Sequence, residues 1–589
     1  MFKKVNWQLV LVVLIVPLVI MSPILFNGTA LLGVDGYFHY NRIFEAAMQL
    51  RNRNLSFLNL YTFQQSGRIV NQVYSPLVTY FFGALLLVAG TWYKFQILTL
   101  YIVYALGILT MYFAATKIGL TKRWALSLGV VYTSSAAVYG FVFGATWKSI
   151  ALAIVPLVIP SLVHLFEGRF NWRRTVYLGV VVALLAQFQV LTVAIVLPML
   201  LPFFAHGVWV AQTKLRFLGR IVLAAILAIV LSLNTIMPLA EVYRNTLISP
   251  VAMNMAPQTS QIFQPMYTGV NSNSDIVISV MAFLLLGMTI TFWKKLSVVT
   301  RFMAIVAIVY LVVGTSLVPW HLLETNYPGL RSFLQMPRRI SLTGYALTIV
   351  VVGKAFMEVR PDNNVVRNLT PVILAVVSVL LLTQKVANNV YYVQNEKTPL
   401  YAGLQATPRN VYSPDIHTFV QLQPLFHDGD MGKVIYHVDR TTPDYVPVDT
   451  TTETHQPTYD AYMNSFSKQW RPYQHIVNGD GTMTLQWESN VANKSKLVPL
   501  VAYKRTRLKL NGKPVDLGKI KRNGVGALYI SERKGVNSLK VEYRPLMKTD
   551  FGIFMSAVAW TLVIIFGVSK VFKVQLVFRN IKNKFTQKT

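Results

Sequence analysis

Residues able to do chemistry are scarce in this chain. Only 23 of its 589 residues are Asp or Glu, against 55 Lys or Arg. Nine acids lie outside residues 388–548: Asp35, Glu45, Glu167, Glu241, Asp275, Glu324, Glu358, Asp362 and Asp550. Asp35 stands in "LLGVDGYFHYNRI", just past an apolar run of membrane-span length, with His39, Arg42 and Glu45 close behind and Arg68 further on. A second basic group, Arg331, Arg338 and Arg339 in "YPGLRSFLQMPRRIS", precedes another apolar run, and Lys148 in "FGATWKSIALAIVPL" opens a third. An arginine fork matches phosphate oxygens two at a time, so an Arg pair at the start of a helix suits a lipid phosphate. The same residues suit plainer roles: Asp35 as a helix cap, His39 as an interfacial histidine, Lys148 as a snorkelling cation and the arginines as headgroup anchors. No phosphate-binding loop, dinucleotide motif, zinc-protease helix or nucleophile elbow occurs. His427, Asp428, Asp430, His437 and Asp439 in "LFHDGDMGKVIYHVDR" match no standard metal spacing; that stretch reads as a solvated loop followed by a strand.

Composition says what must position these groups. The chain is 54% hydrophobic and 13% charged, with mean hydropathy +0.46, where soluble proteins carry roughly 25% charged residues. The class is α-helical polytopic membrane protein. The net charge of +32 belongs with cytoplasmic loops and anionic headgroups; without a compact basic domain it does not indicate nucleic acid. The chain has no Cys, which excludes disulfides, thiolate metal sites and cysteine nucleophiles. The basic start and long apolar run of the N-terminus read as a retained first span.

Charge counting sets the topology. If the run at 75–90 does not cross and Lys3 and Lys4 lie inside, the basic clusters at 117–123, 169–174, 214–220, 294–301, 354–367 and 570–588 all fall inside as well. If 75–90 crosses, all of them move outside. The first arrangement predicts about twelve spans, both termini cytoplasmic, and 75–90 as a re-entrant or interfacial helix on the outer side. Residues 37–53 show an apolar stripe of Tyr40, Ile43, Phe44, Ala47 and Leu50 and a polar stripe of Arg42, Glu45, Gln49 and Arg53, the pattern of a helix lying in the membrane interface. Residues 388–548 hold 14 of the 23 acids and contain alternating runs, including a hairpin pattern around Asn511-Gly512. The expected organisation is a transmembrane part at 1–387, an extracytoplasmic β-rich, sandwich-like module at 388–548, and a final span with a basic tail at 549–589.

The Asp past the first span, the amphipathic outer helix and the later "VYSPL" together resemble the GT-C superfamily of membrane glycosyltransferases, which use polyprenyl-phosphate-linked donors. A narrower likeness is to bacterial YfhO-like and "6-pyruvoyl-tetrahydropterin synthase-related" membrane proteins. "VPLVAYKRTRLKLNGKPVDLGKI", then "GVNSLKVEYRP" and a last span, resemble the C-terminal end of YfhO-like chains. The resemblance implies a GT-C-like fold in a bacterial cell membrane and makes Asp35 the catalytic acid of the first outer loop, where one carboxylate can deprotonate an acceptor hydroxyl. That superfamily often carries a second acid beside the first; here the neighbour is Gly36. Arg338 and Arg339 would hold the donor phosphate with Lys148 and Arg42 assisting, and His39, Glu45, Arg68 and Glu241 are accessory candidates. The implied partners are a polyprenyl-phosphate-linked sugar, a cell-wall glycan or teichoic-acid acceptor and membrane lipid; a divalent cation is the one cofactor left open. Two other classes stay open at this point. One is a lipid-linked glycan transporter, for which Gln187, Gln189 and Asn234 are the polar hints. The other is a non-catalytic envelope scaffold working through residues 388–548.

Overall fold

The computed structural model describes residues 6–33, 35–263, 275–359, 364–394, 400, 411–450 and 454–586. Lys3, Lys4, Arg360, Asp362 and Lys588 lie outside the described residues. Among those described, eight helices are long and apolar enough to cross a membrane: Trp7–Asn27, Trp92–Lys117, Thr146–Phe166, Val190–Val210, Lys214–Val242, Arg338–Val359, Arg367–Gln394 and Met547–Gly567. They make the chain a multi-pass membrane protein. Several helices begin where a polar side chain accepts from the first turn, as Thr91 does from Lys94, Thr121 from Trp124, Asn171 from Arg174 and Ser297 from Thr300.

Other expected spans form shorter helices. Pro76–Ala89, Ile276–Thr291 and Val298–Val313 are apolar but below that length. The run at 124–142 breaks into Lys122–Thr133 and Ala136–Tyr139. The break falls at Ser134-Ser135, where the Ser135 hydroxyl donates to the Tyr132 carbonyl, a local bond that competes with helix continuation.

The helix ends sort into two sets. At one end the Thr121 amide lies against Met357, Glu358 accepts from the Ser297 amide, and His206 stacks on Phe166 beside Phe302. The basic clusters at 117–123, 169–174, 214–220 and 294–301 border these contacts. The opposite end carries Asp35, Lys148, Arg339 and the C-terminal sheets.

The segment expected as an interfacial helix forms the helix Gly36–Asn52, and its residues 36–47 are all buried. Pro76–Ala89 presses along it at Gly83, where a Cβ would come within 2.7 Å of the Ala47 nitrogen. Arg42, Glu45 and Gln49 of its polar stripe are covered by protein, where they have partners, while Arg53 at its end is exposed. Glu45 accepts hydrogen bonds from the Leu60, Tyr61 and Thr62 amides at 2.7–3.0 Å, from the Thr62 hydroxyl and from Gln49.

Beyond the Arg367–Gln394 helix the chain is not all β. Phe419–His427 and Gly432–His437 are helices, the second where a strand was expected. Phe419, Leu422, Phe426, Val434 and Ile435 belong to the same hydrophobic core as the membrane helices. The sheets follow: β1 (Val411–Tyr412) with β2 (Asp439–Arg440), then a five-stranded antiparallel sheet. Its order is β3 (Gln474–Val477), β4 (Met483–Ser489), β9 (Gly535–Tyr543), β6 (Thr506–Leu510) and β7 (Lys513–Val515), and a separate pair joins β5 (Lys494–Val498) to β8 (Leu528–Glu532). The β6–β7 hairpin turns at Asn511 (φ 52°) and Gly512 (φ 83°), the left-handed pair that a two-residue hairpin needs. The sheet core takes in Leu58, Leu60, Ile69, Leu247 and Ile248 from the loops that follow Gly36–Asn52 and Lys214–Val242. The first of these loops is therefore built into the C-terminal region.

Candidate active site

Asp35 occupies the N-cap position of Gly36–Asn52, yet its side chain makes no cap hydrogen bond. Its carboxylate instead accepts from the Lys148 ammonium at 3.3 Å. The Lys148 side chain is 16% exposed and that of Asp35 45%. The two glycines of "GVDG" allow this. Gly33 donates to the Phe143 carbonyl at 3.0 Å, and a Cβ there would lie 2.8 Å from the Gly144 nitrogen; at Gly36 it would lie 2.9 Å from the Phe143 oxygen. Only backbone without side chains brings the two loops this close, and Lys148 follows in the first turn of Thr146–Phe166.

Three arginines border this pair. Arg42, 3% exposed, donates to Thr79 Oγ1 at 2.7 Å and lies 3.2 Å from His39 Nδ1; its guanidinium sits 3.8 Å above the Tyr74 ring. Arg339, 9% exposed, donates to the Leu334 carbonyl and Gln335 Oε1. Both have a buried Nε without a hydrogen-bond partner, and neither joins an ion pair among the described residues. Arg338 precedes Arg339 in the same helix and contacts Met336. Arg339, Arg338 and Lys148 lie within electrostatic reach of one another, and Asp35 within reach of Arg339. Burial pulls the Arg42 guanidinium down to about 10 and holds the His39 imidazole well below its usual range, with Arg42, Lys148 and Arg440 acting in the same sense. His39 is neutral at pH 7, wedged edge-on against Trp147.

Two cavities flank the link between the helices Trp172–Phe188 and Val190–Val210. One is lined by Arg42, Tyr74, Trp147, Gln187 and Phe188 among others. The other has Arg339, Gln189, Thr192 and Thr343 beside Phe141, Leu152, Leu191, Ile195 and Leu342. Each joins a buried guanidinium to apolar side chains.

The remaining sequence candidates lie elsewhere and hold structure. Glu45 anchors the 60–62 loop, as above. Arg68 is fully buried and donates to the Thr442 and Asp444 carbonyls and to Tyr462, tying the first loop to the C-terminal region. Glu241 accepts from Tyr543, the Leu546 amide and Thr549 at the start of the last helix. Gln187 and Asn234 bond to each other, to Ser75 and to Ser556, so the polar hints of a transport path are taken up in joining helices.

Sequence reading missed a second carboxylate. Asp444 lies within electrostatic reach of Asp35, and burial raises its carboxyl above the usual range. It accepts from the Thr454 hydroxyl at 2.7 Å. Tyr445 beside it, at φ 65°, hydrogen-bonds Tyr74. No local signal marks Asp444; Tyr74 stands in the quoted "VYSPL". Among the described residues no three His, Asp or Glu side chains come together, and the groups nearest Asp35 are cations, so the residues present do not fit a divalent ion.

No family model and no curated protein matches the sequence. Among solved structures, the chain is similar to the arabinofuranosyltransferase AftD from Mycobacteria, at 16% identity and a TM-score of 0.43, over 67% of this chain and 28% of that one. It is also similar to the Archaeoglobus fulgidus oligosaccharyltransferase in its apo form, at 13% identity and a TM-score of 0.37, over 69% of this chain and 61% of that one. Both likenesses are partial, and the YfhO-like resemblance has no counterpart in these comparisons. The reading below rests on the residues of the site.

Proposed function

We propose that the protein is a GT-C-type glycosyltransferase that moves a sugar from a polyprenyl-phosphate carrier to a cell-envelope glycan or teichoic-acid-like acceptor, at the outer face of a bacterial membrane. The observation that carries this reading is a charge imbalance. Arg42, Arg339 and Lys148 converge on a site where Asp35 is the one acid in ion-pair contact, and two of the three are buried with an unpartnered Nε. Burying cations without counter-ions is costly unless an anion completes the site. Apolar walls next to Arg339 suit the isoprenoid part of that anion.

In this mechanism Asp35 takes the proton from an acceptor hydroxyl. The acceptor oxygen attacks the anomeric carbon as the bond from that carbon to the phosphate oxygen breaks. Arg339 and Lys148 stabilise the departing lipid phosphate, with Arg338 and Arg42 beside them. A phosphate leaves readily, so no strong general acid is needed, and a single displacement inverts the anomeric centre. The accompanying topology is about twelve crossings, with both termini inside and residues 388–548 outside.

Transfer from labelled polyprenyl-phosphate sugars to envelope glycan, with surface level and melting temperature tracked, tests the assignment. Asp35→Asn is expected to abolish transfer while leaving folding intact. Transfer at the wild-type rate by a properly inserted Asp35→Asn protein rules out Asp35 as the base.

A further inference from the structure

The helix Lys214–Val242 starts in the basic cluster at 214–220 and ends beside the start of the last helix. There Glu241 accepts from the Leu546 amide at 3.0 Å and from the Thr549 hydroxyl. Strands β6 and β9 reach the same place. Thr506 opposite Tyr543 is the last rung of their ladder. One step further Arg505 stands opposite Arg544, whose amide donates to the Arg505 carbonyl at 3.2 Å. Like charges directly opposite across two strands are destabilising, so the sheet itself gains nothing from this pair.

More cations join it. Lys504 donates to the Arg244 carbonyl at 2.6 Å, and Lys548 lies in the first turn of the helix that starts at Met547. All five are exposed. Three carboxylates stand near them. Glu542 takes up Arg544 in an ion pair. Glu241 is buried and spent on Tyr543, Leu546 and Thr549. Asp550 is exposed in the first turn of the last helix. Arg244, Lys504, Arg505 and Lys548 join no ion pair among the described residues. Further bonds fix the group: the Lys504 amide donates to Asn245 Oδ1 at 2.8 Å, and Arg505 Nε to the Arg544 carbonyl at 3.0 Å.

Next to the cations the surface turns apolar. Met547, Phe551 and Phe554 of the last helix are exposed and form one stripe by helical spacing; Tyr243, at the end of the neighbouring span, is exposed too. Loops at the end opposite the basic clusters ordinarily carry few Lys or Arg. Five cations here, continued by an apolar stripe, match a molecule that joins a phosphate to acyl chains. Guanidinium and ammonium groups both suit phosphate oxygens.

We propose that this junction binds an anionic phospholipid of the surrounding bilayer. Arg505, Lys504 and Lys548 hold its phosphate with Arg244 beside them, and its acyl chains lie along Met547, Phe551 and Phe554. The headgroup relieves the Arg505–Arg544 repulsion and ties the sheet to the membrane boundary. None of this rests on the transfer reading; with residues 388–548 outside, as proposed above, the lipid belongs to the outer leaflet. The test takes the full-length protein from nanodiscs of mixed phosphatidylglycerol and phosphatidylcholine. Native mass spectrometry at rising collision energy then identifies the lipid retained longest. Wild type is expected to prefer phosphatidylglycerol about tenfold. Lys504→Gln with Arg505→Gln, and separately Arg244→Gln with Lys548→Gln, are each expected to cut that preference to about threefold or less. The second pair guards against a first pair that misfolds. Lys513→Gln with Lys519→Gln removes the same charge from exposed positions elsewhere in the sheet region and is expected to keep the preference. Soluble glycerol 3-phosphate is expected not to displace the lipid; displacement makes free phosphate the ligand and overturns the lipid assignment. Equal retention of both lipids by wild type, wild-type preference in the folded site variants, or an equal loss in the Lys513 and Lys519 control also overturns it.

Discussion

Lys148 and Asp35 are separated by 113 residues of sequence and by 3.3 Å in space. The contact stands in place of a helix cap: the acid sits at the N-cap position and gives its side chain to a cation from another helix. An acid serving only as a cap would bond to the amides of its own helix. The Asp35 carboxylate is free of that duty.

Asp35→Asn should therefore separate activity from stability. The loss of a general base lowers rates by about 10² to 10⁴, whereas no cap bond is lost. Transfer should fall by at least 10², with the melting temperature of the purified protein within about 3 °C of wild type. A large drop in melting temperature instead would return Asp35 to a structural role.

Gly33→Ala should act in the opposite way. The added Cβ meets the Gly144 backbone nitrogen at 2.8 Å, and backbone cannot turn aside as a side chain can. Overpacking of this kind costs about 1–3 kcal/mol, and the shift also moves Lys148 away from Asp35. Melting temperature and transfer should both fall, while Gly287→Ala, at a helical glycine with nothing near its Cβ position, should keep transfer at the wild-type rate.

Arg339→Gln should uncouple the protein from its anion. Added polyprenyl phosphate stabilises any protein that binds it only when folded, so it should raise the wild-type melting temperature and leave that of Arg339→Gln unchanged. Arg339→Lys should recover little, since an ammonium cannot reproduce the forked bonds to Leu334 and Gln335. Equal stabilisation of wild type and Arg339→Gln would place the lipid phosphate elsewhere.

Glu45 should give the protein a dependence on acid pH. Burial raises its carboxyl from 4.5 to about 6, against the opposing pull of the Tyr61, Gln49, Leu60 and Thr62 hydrogen bonds. The folded state then holds the proton more tightly than the unfolded one, so this group's contribution to stability falls as pH rises from about 4.5 to 6 and is level above. A shift of this size corresponds to about 2 kcal/mol. Glu45→Gln should lack the wild-type change between pH 4.5 and 6, since an amide does not titrate there. Melting curves across that range, with and without the substitution, measure the difference.

Much of this was legible in the chain itself, because a membrane leaves few options. Long apolar runs must become helices, and the basic clusters mark the ends that share a side. The Asn511-Gly512 hairpin was legible for a similar reason: those two residues accept left-handed backbone where most do not. The helix Gly36–Asn52 was read as amphipathic and interfacial; its burial by protein was not legible. Its polar stripe has the same pattern whether it faces headgroups or a loop whose amides need an acceptor, and periodicity does not distinguish water from protein.

The sequence by itself determined the membrane class, the positions of most helices and the few residues able to hold a phosphate or take a proton, since composition and spacing are local properties. Only the tertiary structure decided which of those residues meet. It brought Lys148 to Asp35 and Arg339 within its electrostatic reach, assigned Glu45, Arg68 and Glu241 to anchoring loops, and carried Asp444 into reach of Asp35 across 409 positions. Such meetings depend on close packing between segments far apart in the chain, as at Gly33 against Gly144, and no spacing along one stretch of sequence encodes them.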